Sequence, residues 1–155
     1  MSHEKRLAEL GITLPEVAAP VAAYVPAVQT GRYIYTSGQL PFVDGALPAT
    51  GKVGEGTGLV SPEDAADYAR TCALNALAAV RSVTGSLDSI ARIVKVVGFV
   101  ASDPSFTGQP AVINGTSSVL GEIFGDAGVH ARSAVGVAVL PLDSPVEVEL
   151  VVELA

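Results

Sequence analysis

Two side chains near the end of the chain have the chemistry to handle a small organic acid. Arg132 opens the run Ala131-Arg132-Ser133-Ala134-Val135-Gly136-Val137-Ala138-Val139-Leu140-Pro141, and Glu147 stands in Val146-Glu147-Val148-Glu149. A guanidinium is a planar fork of N–H donors that can hold a carboxylate bidentately, and it stays charged at any working pH. A glutamate can move a proton or orient a water. In a strand, Arg132, Ala134, Gly136 and Ala138 share one face, with Val135, Val137 and Val139 on the other. Small neighbours leave a cavity into which the fork can project. A structural ion pair or a subunit interface would use the same arginine, so residue type alone leaves those readings open.

Glu147, Glu149 and Glu153 alternate with Val146, Val148, Leu150 and Val152. A solvated strand face would show the same pattern. If residues 140–145 form a simple hairpin turn, Glu147 falls opposite about Ala138 and roughly 20 Å along the ladder from Arg132. The two then meet only if the strands pair differently or converge across a subunit interface.

Other polar groups are less specific. Ser37-Gly38-Gln39 ends an expected strand, where a hydroxyl and a backbone N–H beside glycine can hold a carboxylate or an oxyanion. Without a nearby His-Asp pair, Ser37 lacks the base that a nucleophilic serine needs. His3 falls in a terminus expected to be mobile, and His130 is expected to face solvent. Tyr24 stands at a strand start, where packing is the common role. Asn114 precedes Gly115 inside an expected helix, and that poor helix composition points to a polar role. Asn75 raises the same question in the first long helix, with a structural hydrogen bond as the alternative. Gly51-Lys52-Val53-Gly54-Glu55-Gly56 lacks the Gly-Lys-Ser/Thr of a phosphate cradle and reads as a flexible loop.

The elements that must position these groups follow from patterning. Residues 3–10 read as a short helix, and 12–22 as an extended surface segment. Residues 24–29 and 32–36 read as a hairpin around Thr30-Gly31, and 41–60 as a long loop. Ser61-Pro62-Glu63-Asp64 starts a helix: a side-chain cap, proline at the first position, and acids at the positive end of the dipole. It runs to about Thr84 and stops at Gly85, burying Ala65, Ala69, Cys72, Ala73, Ala76, Leu77 and Val80 on one face. A β-branched strand follows over 90–100, then a helix over about 107–124, and strands over 131–140 and 146–154. The order β-β-α-β-α-β-β predicts an α+β fold, a single domain over 1–155 with two helices on one face of a mixed sheet.

Composition excludes several classes. The chain has 155 residues, 49% hydrophobic and 16% charged, with 16 acids against nine bases for a formal charge of −7. The bases are scattered, so no nucleic-acid footprint is expected. One cysteine, Cys72, allows no internal disulfide, and without a His/Cys cluster no metal site is expected. No apolar run reaches membrane-spanning length and no signal peptide is evident, so a cytoplasmic setting is expected. So few charges on so apolar a chain point to surface buried between subunits.

Ala131-Arg132-Ser133 through Leu140-Pro141 to Val146-Glu147-Val148-Glu149 resembles the RidA (YjgF) family of small imine/enamine deaminases, also called endoribonuclease L-PSP. The Tyr24 region, Thr36-Ser37-Gly38-Gln39-Leu40-Pro41 and the Asn114 helix fall in matching order, so the resemblance covers about Val21 to Glu153. It implies a chorismate-mutase-like α+β fold, a homotrimer, and active sites in the clefts between subunits. It further implies Arg132 as the clamp on a substrate carboxylate and Glu147 as the group that activates water or shuttles a proton. Tyr24, Ser37, Gly38, Asn114 and Ala134 would line the pocket. The implied reaction is that of a 2-iminobutanoate/2-iminopropanoate deaminase: hydrolysis of imines or enamines such as 2-aminoacrylate to 2-oxo acids and ammonia, without cofactor.

The chain departs from the compact members in three places. Ala134 stands where well-known members have cysteine, so that position supplies no thiol and only a backbone contact. An N-terminal extension over about 1–20 and the long 41–60 loop are the other two, and both bear on substrate identity. A non-catalytic binder of 2-oxo acids or other small carboxylates would use the same arginine cleft. Ribonuclease activity would need a basic stripe, and a chorismate mutase would need several cations for its dianionic substrate.

Overall fold

The computed structural model describes residues 2–17 and 22–155. Its elements are helix α1 (His3–Glu9), strands β1 (Ala27–Thr30) and β2 (Tyr33–Thr36), helix α2 (Pro62–Thr84), strand β3 (Ile90–Ala101), helix α3 (Gln109–Phe124), and strands β4 (Ala131–Val137) and β5 (Val146–Leu154). The strands form one mixed sheet in the order β1-β2-β5-β3-β4, antiparallel except for the β3–β4 pair. This is a mixed α+β domain.

The helices form where the expected signals lie. The Ser61 hydroxyl accepts from the Asp64 N–H at 3.1 Å, and Gly85 ends α2 with φ of 79°. Every small or apolar residue expected on the inner face of α2 is buried. Alanine dominates that face because α3 crosses it closely: a Cβ at Gly115 would overlap the carbonyl oxygen of Ala66. That contact explains the Asn-Gly pair inside α3, where glycine would otherwise cost helix stability.

Alternation along β5 separates two environments. Val146, Val148, Leu150 and Val152 are buried under the helices, whereas Glu147, Glu149, Val151 and Glu153 face the other side. Val28, Tyr33, Tyr35 and Val135 occupy that open side and are 40–54% exposed.

Several expectations are corrected. β5 does not form a hairpin with β4, because β3 lies between them and pairs with both. β4 ends at Val137, and the chain then makes a tight turn over Pro141–Asp143 in which Leu142 and Asp143 have positive φ. The 51–56 segment is pinned to the end of β3. Val53 is fully buried, its N–H donates to Ala101 O at 2.7 Å, and its carbonyl accepts from the Asp103 N–H at 2.9 Å. His3 is held rather than loose: its ring lies 4.6 Å from that of Phe124, and Nε2 is 3.2 Å from Ile90 O. Of the segment expected to lie extended over 12–22, residues 18–21 fall outside the described residues, and Leu14 is buried. No helix among the described residues is long and apolar enough to cross a membrane.

Candidate functional site

Glu147 sits near the start of β5, where β2 has ended and the chain bulges through Ser37 and Gly38. The antiparallel bridge resumes at Gln39 and Val148, whose N–H groups exchange with each other's carbonyls at 2.8 and 3.0 Å. The bulge lays Gly38 against the Glu147 side chain: a Cβ on Gly38 would come within 2.6 Å of Glu147 Oε1. Glycine is needed there for close approach, since its φ is not among the positive ones. Among the described residues nothing donates a hydrogen bond to the Glu147 carboxyl. Partial burial raises its pKa above the usual carboxylate value, and neighbouring Glu149 adds to the effect.

A cleft of about 930 Å³ opens in front of this carboxyl, lined by Tyr24, Ser37, Gly38, Asn75, Leu142 and Glu147 among others. The Ser37 hydroxyl donates to Val25 O at 2.7 Å, so it is committed to the backbone and stands as a pocket wall, not as a nucleophile. Tyr24 precedes β1 and is 62% exposed. Asn75 takes the structural role raised for it: its Nδ2 donates to Leu40 O at 2.9 Å and Phe42 O at 3.2 Å, which holds the loop mouth against α2. Cys72 lies buried in α2. Burial pushes its thiol well above the ordinary value and the Glu147 charge adds to this, so the thiol is inert.

Arg132 belongs to a second cluster. It pairs in register with Val96 on the helix-facing side of β3 and reaches α3. Its Nη1 donates to Asn114 Oδ1 at 2.8 Å and to Ser117 Oγ at 3.3 Å. Among the described residues no carboxylate lies within ion-pair distance of it, which removes an ion pair within this chain as the reason for the arginine. The small residues beside it have a packing role as well. They make room for α3: Ala134 packs on the core, and a Cβ on Gly136 would come within 2.8 Å of Gln109 Nε2.

Ser117, which the sequence did not single out, and His130 complete this cluster. His130, expected to face solvent, has Nε2 2.9 Å from Ser117 Oγ and Nδ1 2.6 Å from Gly128 O. Spacing carried the missed signal: Ser117 is three residues past Asn114, on the same helical face, and His130 is two residues before Arg132.

The structure thus brings Tyr24, Ser37, Gly38 and Glu147 together in one place, and Arg132 and Asn114 in another. It does not bring the two groups together within one chain. Arg132 registers with Val96 and Glu147 with Phe99, one strand away on either side of β3. Their backbones are therefore about 14 Å apart, from two strand spacings and three residues of rise. Their side chains leave opposite faces of the sheet.

Similarity to known proteins agrees with this architecture. The family model described as "YjgF/chorismate_mutase-like, putative endoribonuclease" matches residues 4–154. Protein TCP17 of Trypanosoma cruzi is 44% identical over 96% of this chain and 91% of its own length. The crystal structure of protein Atu1372 from Agrobacterium tumefaciens is 42% identical, with a TM-score of 0.88 over 99% of this chain and 94% of that one. That of Escherichia coli TdcF with bound serine is 27% identical, with a TM-score of 0.63 over 92% and 94% of the two chains. The chain belongs to the YjgF/chorismate mutase-like family.

Proposed function

We propose that the protein hydrolyses small reactive imines and enamines of 2-oxo acids, such as 2-aminoacrylate, to the 2-oxo acid and ammonia. The observation that carries this reading is the Glu147 carboxyl. It is half-buried at the head of a cleft, free of hydrogen-bond partners among the described residues, and holds its proton more tightly than an ordinary glutamate. Such a group can give a proton and take one back.

The steps balance with one water and proton transfers alone. Protonated Glu147 delivers its proton to the terminal carbon of the enamine, and the C=C bond becomes the C=N bond of an iminium. Glu147, now ionised, takes a proton from water as the oxygen adds to C2. The carbinolamine nitrogen then receives that proton, and the C–N bond breaks as ammonia leaves; the hydroxyl proton returns to Glu147 while the C=O bond of the 2-oxo acid forms, which restores the protonated carboxyl. Arg132 holds the substrate carboxylate throughout, with Asn114 and the Ala134 backbone beside it. Tyr24, Ser37 and Gly38 form the opposite wall.

Since Arg132 and Glu147 leave opposite faces of one sheet, this chemistry requires an Arg132 from a second copy of the chain, in a homotrimer. The exposed Val28, Tyr33, Tyr35 and Val135 on the open face support such an assembly. TdcF with bound serine supports a ligand that carries a carboxylate. That complex also keeps in view the alternative of a carboxylate binder without turnover. The formal charge of −7 counts against RNA as substrate.

The deciding assay generates 2-aminoacrylate in place and follows 2-oxo acid formation with and without the protein. Acceleration over buffer is expected. A rate equal to buffer removes the enzyme reading, and binding of 2-oxobutanoate without turnover establishes the binder instead. Gly38→Ala provides a test of the cleft geometry. The added methyl meets the flexible end of the Glu147 side chain, so the chain should fold while kcat falls by roughly tenfold or more as the carboxyl is displaced. Unchanged kcat would mean that the position of Glu147 does not matter.

A further inference from the structure

We propose that Ser117 and His130 are positioning residues for Arg132, acting through one directional chain of hydrogen bonds. The proposal rests on the reading of Arg132 as the substrate carboxylate anchor. The direction follows from the groups themselves. Gly128 O has no proton to give, so His130 Nδ1, 2.6 Å away, carries the hydrogen. In the neutral ring Nε2 is then an acceptor, and the hydroxyl of Ser117 at 2.9 Å must donate to it. With its hydrogen spent, Ser117 Oγ presents only lone pairs to Arg132 Nη1 at 3.3 Å.

The other Nη1 hydrogen goes to Asn114 Oδ1 at 2.8 Å. Both hydrogens of Nη1 are therefore engaged by protein. Nε and Nη2 are left with no partner among the described residues, and they form the edge whose parallel N–H bonds suit a carboxylate. Asn114 alone would hold the guanidinium at one point and let it turn about that bond. The Ser117 contact supplies the second point, and His130 fixes which way the Ser117 hydroxyl is turned. This gives the His130-to-Arg132 spacing a purpose: with His130 just before β4 and Arg132 at its start, both side chains reach the same helix.

The chain has only two histidines, and the structure assigns them opposite tautomers. His130 carries its hydrogen on Nδ1, whereas His3, whose Nε2 faces Ile90 O at 3.2 Å, carries it on Nε2. Nitrogen-15 histidine NMR on the full chain should show one neutral ring of each kind. Two Nε2–H rings would overturn the proposal without any variant.

Binding of 2-oxobutanoate then separates this proposal from the one beneath it. Ser117→Ala and His130→Leu should weaken binding by roughly tenfold, the loss expected when a hydrogen bond that orients a charged group is removed. In turnover, KM should rise while kcat changes little. His130→Gln, whose amide oxygen can replace the Nε2 acceptor, should recover most of the affinity even if His130→Leu folds poorly. If Arg132→Ala abolishes binding but Ser117→Ala and His130→Leu bind like wild type, the positioning role fails and the anchor stands. If Arg132→Ala itself binds like wild type, both fail.

Discussion

Arg132→Ala is expected to abolish measurable binding of small 2-oxo acids and to lower kcat/KM for imine hydrolysis by about a thousandfold, since losing one partner of a hydrogen-bonded charge pair costs several kcal/mol. Stability should change little. The guanidinium has no ion-pair partner among the described residues, and its two recorded hydrogen bonds go to polar groups at the edge of α3. Asn114 is exposed and water can replace the arginine there. Arg132→Lys keeps the charge and loses the fork, so it should recover a minor part of the binding. Calorimetric titration with 2-oxobutanoate, beside the 2-aminoacrylate assay, reads both quantities. An alanine variant with wild-type affinity and rate would show that the anchor is elsewhere.

Glu147→Gln is the second large effect, and it separates chemistry from stability. Glutamine keeps the shape and loses the proton transfer, so kcat should fall by roughly 10²–10⁴-fold. The folded chain should not suffer. The carboxyl has a raised pKa because burial disfavours its charged form, with Glu149 adding to this. Such a group binds its proton more tightly in the folded than in the unfolded chain. Wild type therefore loses stability as pH rises from the usual value of 4.5 through the raised one, and stays at that lower level above it. Glutamine removes this charge-burial cost. Melting temperatures of the two proteins should agree near pH 4, and the variant should be equal or higher at pH 8. A variant markedly less stable at pH 8 would mean that the ionised carboxyl has a stabilising partner. One that keeps wild-type turnover would take proton transfer away from Glu147.

Both effects depend on residues whose elements were legible in the sequence, and the limits of that legibility have physical causes. α2 is written locally: a serine cap, proline, two acids, a periodic alanine face and a glycine stop all lie within one stretch. β5 is equally plain, because alternation alone sorts valine from glutamate. Strand order is not local. The β3-α3-β4 crossover makes a parallel pair and leaves β4 at the sheet edge, so β5 must return to the far side of β3. Adjacent strands with a short turn suggested a hairpin, and nothing between residues 137 and 146 announces otherwise. The small residues of β4 carry a long-range role that the sequence did not announce. They read as space for a ligand, and Ala134 and Gly136 also form a contact surface for the core and α3.

The site was legible in its members but not in its grouping. Arg132, Glu147, Ser37, Gly38, Tyr24 and Asn114 could be picked by residue type and order. That Gly38 backs Glu147 directly depends on a bulge at the end of β2, and that Ser117 and His130 engage Arg132 depends on where α3 crosses β4. Both are long-range packing facts, and so is the pinning of the 51–56 segment by Val53, which glycine content alone made look loose. The acidic and arginine groups were expected to meet only if the strands paired differently or converged across a subunit interface, on the strength of a hairpin that does not form. The separation survives for a different reason: one strand intervenes and the side chains point apart.

On the proposed function, one working site draws Glu147 from one copy of the chain and Arg132 from another. Arg132→Ala and Glu147→Gln, each inactive alone, can be unfolded and refolded together at equal concentration and assayed on 2-aminoacrylate. Random assembly places an intact Arg132 against an intact Glu147 in about one site in four, so roughly a quarter of wild-type activity should return. A mixture no more active than its two parents would place both residues of a working site in the same chain and rule out a site shared between copies.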